Sequence, residues 1–311
     1  MASNGLAALQ KMFDAPSVME QFENVLKEGR AAFYASVIDL YNSNDELQQC
    51  DNKLIVKECL RAAAMHLPIN KALGYAWLIV FNNTVKEKYT DEKGVERERQ
   101  IKVKTPTFLT SAKGLTQLAL RSRIYTNINH DVIYEGELVE KDKLTGEIIL
   151  DEKQRKSDKV IGYFAHFETF YGMKKTLYMT VEQVARFAKL YSPTCKYSQN
   201  ITVDSLMKLA GQPPRGYGWT GDFDSMARKT VLRQLLEKYG ELNTEIQAAI
   251  TTERNVESAA AEPQTPTTTA INVQDVKYED VTDEPKAEPQ PQPQPEVKKT
   301  QTATQVQCQF A

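Results

Sequence analysis

The chain has 311 residues, 41% hydrophobic and 26% charged, enough for one large globular domain or two ordinary ones. The net charge of −2 hides an asymmetry: residues 257–311 hold nine carboxylates against four lysines, −5, which leaves a mildly basic +3 on residues 1–256. The four cysteines, Cys50, Cys59, Cys195 and Cys308, form no CxxC pair and no metal-ligand spacing. The longest apolar run, at 72–81, has ten residues, short of a membrane span. A reducing, cytoplasmic setting follows, with no disulfide framework and no membrane partner expected.

In chain order, SVMEQFENVLKEGRAAFYASVIDLYNSN (17–44) repeats apolar residues at three- and four-residue spacing behind a Ser17–Glu20 capping pattern, which predicts a long helix. NKLIVKECLRAAAMHL (52–67) predicts a second helix, stopped by Pro68. GYAWLIVFNNTVKEKY (74–89), a DEKG turn at 91–94 and the returning VERERQIKVK predict a hairpin. Ser111 opens a helix over 111–123 with Leu115, Leu118 and Ala119 inward. VIYEGELVE (132–140), a KLTG turn and EIILDE predict another hairpin. KVIGYFAHFETFYG (159–172) alternates, placing Ile161, Tyr163, Ala165, Phe167 and Tyr171 on one face, and pairs with KKTLYMT. Thr180 and Gln183 cap a helix through Tyr191. The loop GQPPRGYGWTGDFD (211–224) feeds a last helix, with Asp224 expected to cap it before Met226. Short turns join these strands rather than helical crossovers, so the fold class is α+β. From about 257 the Pro- and Gln-rich composition predicts a disordered tail with polyproline II character in QPQPQP; the closing VQCQFA is expected to fray.

No GxxxxGK[ST] phosphate loop, HExxH, GxSxG or Gly-rich dinucleotide turn occurs, and His66, His130 and His166 are far apart. No catalytic residue, cofactor or metal is expected; Asp222 and Asp224 could bind a metal as a pair, but Asp224 reads as a helix cap first. The remaining signal is cations beside aromatic and small residues. Lys113 precedes Gly114 at a helix N-terminus, which favours anions, and Arg121 and Arg123 end that helix. Arg215, Tyr217 and Trp219 occupy the glycine-rich loop. In the helix that follows, Val231, Leu232, Leu235, Leu236 and Tyr239 share one arc, Lys229 and Arg233 flank it, and Arg228 lies at its mouth. Aromatics offer stacking faces to unpaired bases and cations neutralise phosphates. These nine residues are the candidate DNA-binding set. Taken singly, each also reads as a solvated-face or core-packing residue.

Five segments carry a resemblance, in order, over about 55–245: CLRAAAMHLPINKALGYAWLIVFNN (59–83), TFLTSAKGLTQLALRSR (107–123), VIYEGE (132–137), KVIGYFAHFET with its Gly172, and WTGDFDSMARKTVLRQLLEKYG (219–240). The chain resembles the RecT family of phage-type single-strand DNA annealing proteins, or recombinases. It departs from the family at Ala112, where an aromatic is frequent, and at Arg123, where glycine is frequent. The resemblance implies a β-β-β-α core and ATP-independent annealing of complementary single strands in prophage or phage recombination. It also implies a homo-oligomer, ring or helical filament, on single-stranded and annealed duplex DNA. The implied partners are a phage exonuclease and a host single-strand DNA-binding protein. In the last helix the resemblance implies that Arg228, Lys229 and Arg233 face phosphate, with Arg228 the one of the three expected to be held structurally instead, by Asp222 or Asp224. On this reading residues 1–50 are a helical oligomerisation candidate, 51–250 a DNA-binding core, and 251–311 the tail. A passive single-strand-binding scaffold is the alternative, and a nuclease whose metal site escapes inspection is a further rival.

Overall fold

The computed structural model describes residues 2–90 and 96–259; the turn expected at 91–94 and the sequence from 260 onward, with QPQPQP and VQCQFA, lie outside the described residues. Four helices open the chain: α1 (Ala2–Phe13), α2 (Pro16–Leu26), α3 (Arg30–Asn42) and α4 (Asn52–Ala64). The single helix expected over 17–44 is two helices, because a 3-10 turn at Lys27–Gly29 interrupts it. Ser17 caps neither. The helix starts at Pro16, whose missing N–H costs no bond at the first helical position. Leu9, Phe22, Val37, Leu40, Ile55 and Cys59 are buried in one continuous core, and the Phe13 ring lies 5.2 Å from Phe22 and 5.3 Å from Tyr34. Residues 1–50 therefore share their core with α4.

β1 (Ala76–Thr90) and β2 (Glu96–Thr110) make the expected antiparallel hairpin, with Trp77 opposite Leu109. Ala76, Leu78 and Phe108 are buried, whereas Ile79 is exposed and Trp77 half-buried on the alternate face. α5 (Ala112–Arg121) follows with Ser111 as its cap, as its sequence predicts: the hydroxyl accepts from Gly114 N–H at 3.0 Å.

β3 (Tyr125–Tyr134), β6 (Val160–Thr169) and β7 (Lys174–Thr180) form an antiparallel sheet in the order β3-β6-β7. The hairpin expected over 132–152 is shorter. β4 (Leu138–Lys141) pairs with β5 (Ile148–Leu150), and residues before Gly136, which has φ 97°, belong to the larger sheet. Tyr163, Ala165 and Phe167 are buried as the alternation requires; Ile161 is only partly buried, and Tyr171 is exposed at the β6–β7 turn.

α6 (Val181–Tyr191) has the expected Thr180–Gln183 capping box. Short helices α7 (Pro193–Lys196), α8 (Val203–Met207) and α9 (Gly218–Gly221) lead to α10 (Phe223–Tyr239) and α11 (Thr244–Ala259). α10 lies on the sheet and against α5, so the sheet and α10 form a β-β-β-α unit. Ala227, Thr230, Val231, Leu232, Arg233, Leu235 and Leu236 are all buried, a set too wide for one amphipathic arc. α11 supplies the second wall through buried Ile246, Ala249 and Ile250. The tail boundary expected at 251 thus falls inside α11.

Candidate nucleic-acid interface

Two of the cations expected to face phosphate are structural. Lys229 Nζ lies 2.7 Å from Glu253 Oε1, and the two side chains are 12% and 11% exposed. Thr110 Oγ1 also donates to Glu253, at 3.3 Å, which ties α10, α11 and β2 together. Arg233 is 4% exposed and donates two hydrogen bonds to Glu257, at 3.1 and 2.7 Å. A buried fork-to-fork pair of this kind fixes the guanidinium on its carboxylate and away from solvent. Arg228 has an acidic partner, as expected, but a different one from those expected. Its partner is neither Asp222 nor Asp224 but Asp131 on β3, at 3.7 Å, and it keeps 35% side-chain exposure. Asp222, not Asp224, caps α10 by accepting from Ser225 N–H. Asp224 accepts from the Tyr163 hydroxyl at 2.5 Å and from Gly211 N–H at 3.0 Å, anchoring the start of the glycine-rich loop.

Burial, then the nearby Arg228, lowers the pKa of His130 from its ordinary 6.5. The unfolded chain therefore takes up this proton first as pH falls. Stability carried by the neutral imidazole is full above pH 6.5 and lost as pH drops through the folded value. His130→Gln is expected to flatten the fall in urea midpoint between pH 7.5 and 5.

Arg121 is also structural. It donates to the Met65 carbonyl at 2.7 Å and lies 3.7 Å from Glu245 on α11. Arg123 is exposed, and its side chain has no ion pair or hydrogen bond among the described residues. Its φ of 60° is the left-handed conformation that closes a helix. A side chain in this conformation costs about 1 kcal/mol relative to glycine. Arg123→Gly should raise stability by about that amount in thermal melts; a simultaneous drop in the salt dependence of DNA binding marks a phosphate contact.

The remaining candidates converge elsewhere. Gly74, with φ 66°, turns the chain into β1, and Ser111 Oγ donates to its carbonyl at 2.6 Å, fixing that turn to the start of α5. Lys113 donates to the Leu73 carbonyl at 3.0 Å and lies 4.5 Å above the Tyr75 ring. The helix N-terminus expected to receive an anion is packed on this turn: a Cβ at Gly114 would lie 2.2 Å from the Tyr75 carbonyl oxygen. Trp77, two residues further, meets Tyr217 with ring centroids 6.0 Å apart and planes at 54°. Tyr217 is 83% exposed. Its loop is closed by Arg215 N–H donating to Gly221 O at 2.8 Å, and the Arg215 side chain is exposed with no partner among the described residues. Trp219 is a packing anchor rather than a stacking surface: it is 7% exposed, with its ring 5.6 Å from Phe223 and tilted 61°.

The structure therefore brings Tyr217 to Trp77 and Lys113 to Tyr75, two residues before Trp77, with Arg215 two residues before Tyr217 in the same loop; Tyr75 and Trp77 were expected only as part of a hairpin strand. Strict alternation could have found Trp77, since Ala76 and Leu78 take the core positions on either side. Arg123, at the far end of the ten-residue α5, lies about 15 Å from Lys113 at 1.5 Å per residue. Among the described residues, no group of three or more His, Cys, Asp or Glu side chains could hold a metal ion, and no helix is long and apolar enough to cross a membrane.

Residues 31–268 match the RecT family. An uncharacterised protein, YqaK of Bacillus subtilis (strain 168), is 35% identical over 244 residues, covering 78% of this chain and 71% of that protein. The matched region holds every element from α3 to α11 and all of the cations and aromatics just described, so the chain belongs to the RecT family.

Proposed function

We propose that this protein binds single-stranded DNA and anneals complementary strands in phage-type homologous recombination, without nucleotide hydrolysis. The observation that carries this reading is the Trp77–Tyr217 pair, with Tyr217 83% exposed, in the neighbourhood of the exposed cations Lys113, over Tyr75, and Arg215, in the Tyr217 loop. Aromatic faces stack on any base and cations neutralise any phosphate, so such a surface holds a strand without selecting its sequence. A strand held this way keeps its base edges open to a complement. Pairing itself then supplies the driving force, about 1.4 kcal/mol per stacked step, and no motor is needed. The family supports the rest of the reading: a homo-oligomer, ring or filament, on single strands and annealed duplex. A phage exonuclease supplying the strands and a host single-strand DNA-binding protein complete the partners, in a bacterial or phage-infected cytoplasm.

Mixing two complementary oligonucleotides with the protein, with no ATP, tests the reading. Annealing well above the spontaneous rate is expected. Tight binding with annealing at the spontaneous rate would leave only a passive scaffold, and cleavage of labelled DNA in Mg²⁺ would indicate the nuclease instead.

A further inference from the structure

One face of the three-stranded sheet lies under α10, where Tyr163 packs 6.2 Å from Phe223. The other face is open, and its residues follow from the register. Asp131, Phe164 and Tyr178 form one row, Asn129, His166 and Thr176 the next, and Asn127, Glu168 and Lys174 the third. An open antiparallel face is ordinarily polar; this one carries two aromatic rings on adjacent strands. Gly162 makes the arrangement possible. A Cβ there would fall 2.4 Å from Tyr178 Cε2, so the tyrosine ring crosses the central strand where glycine leaves room for it.

The β4–β5 hairpin borders this face without closing it. Between them lies a cavity of about 350 Å³, with Ile149 and Leu150 on one wall and Phe164 and His166 on the other. That is the size of a small-ligand pocket, which runs from about 300 to 1,000 Å³. It suits unpaired nucleotides and excludes a duplex or a protein helix. Lys141 lies 5.0 Å above the Tyr178 ring, and Lys174 is 59% exposed at the rim. Glu168, paired with Lys174 at 3.0 Å, and Glu147 share the cavity lining with Lys174 and Lys175, whose charges offset theirs. Exposed Asn127 and Asn129 add amide donors and acceptors beside the rings.

We propose that this open sheet face is a second single-strand site, which holds unpaired bases of the incoming strand while the Trp77–Tyr217 surface, on the other hairpin, holds the first. Phe164, in the cavity wall, stacks on a base, Tyr178, seated between Gly162 and Lys141, borders it, and Lys174 lies along the backbone. The proposal rests on the annealing reading above for its role, but not for its location. Stacking is sequence-tolerant, so the face accepts any incoming strand and releases it as pairing replaces stacking.

Photocrosslinking locates the site. The full chain is saturated with an ordinary oligonucleotide, then exposed to a complementary or unrelated oligonucleotide carrying 4-thiothymidine, and the crosslinked peptides are mapped. Crosslinks within 159–180 are expected for both. Phe164→Leu keeps apolar filling but loses the ring, and Lys174→Ala removes the exposed rim cation together with its ion pair to Glu168. Each should lower the crosslink yield, and Phe164→Leu should slow annealing about tenfold, the loss of one base stack, with first-strand affinity unchanged. Crosslinks confined to other segments, or both variants crosslinking and annealing like the parent, would overturn the second site and leave the annealing reading intact. Crosslinks within 159–180 in a parent that does not anneal would keep the site and discard the annealing role.

Discussion

Arg233→Ala is expected to lower folding stability by about 3–5 kcal/mol, the cost of stranding the other half of a buried ion pair, and to leave the salt dependence of single-strand binding unchanged. The guanidinium is 4% exposed and both of its hydrogen bonds run to Glu257. The charge left behind in the variant is the Glu257 carboxylate. Burial already holds that carboxyl above its ordinary 4.5, with Arg233 the main opposing influence. Removing Arg233 raises it further, so the folded variant binds the proton more tightly than the unfolded chain does. Its stability deficit is then largest at neutral pH and shrinks as pH falls toward 4.5. Urea denaturation at pH 7.5 and 5 measures both effects. A folded Arg233→Ala whose salt slope drops by about one would make this residue a phosphate contact after all.

The same pair determines where the chain can be shortened. A chain ended after Val256 loses Glu257 and should be destabilised like Arg233→Ala, whereas one ended after Ala261 retains all of α11 and should melt with the full-length protein. A tail boundary drawn from composition alone passes through a helix that the core requires.

Local signals were legible in the sequence: the β1–β2 hairpin, the Ser111 cap, the Thr180–Gln183 box and the buried alternation of Tyr163, Ala165 and Phe167 all depend on residues close in the chain. What was not legible depends on elements distant from each other. Lys229 and Arg233 read as phosphate contacts because one helix was considered without its neighbour. Their partners carry a matching signature, since Glu253 and Glu257 are also four apart and Ile246, Ala249 and Ile250 mark the inner face of their helix. Two acidic positions at the spacing of two basic ones, on adjacent helices, are a signal that pairing could have exposed. The exchange of roles between the two tryptophans has a similar origin. Trp219 precedes Phe223 by four residues and packs on it at the start of α10, whereas Trp77 takes the face of a strand opposite two core residues.

Tyr217→Ala should weaken single-strand binding by about 1–3 kcal/mol, roughly 5- to 150-fold, the range for losing one base-stacking ring. At 83% exposure the ring contributes little to the fold, so melting should move by less than about 0.5 kcal/mol. Trp219→Ala supplies the contrast: truncating a 7%-exposed ring is expected to cost about 3–5 kcal/mol of stability. The two tryptophans also make the interface spectroscopically separable. If bases stack at the Trp77–Tyr217 pair, adding single-stranded DNA quenches the half-buried Trp77 and leaves Trp219 unaffected. Trp77→Phe should then abolish the quench and Trp219→Phe preserve it, with Arg215→Ala lowering affinity and reducing the salt slope by about 0.7. A Tyr217→Ala variant that binds like the parent, with the quench traced to Trp219, would move the first strand off this surface.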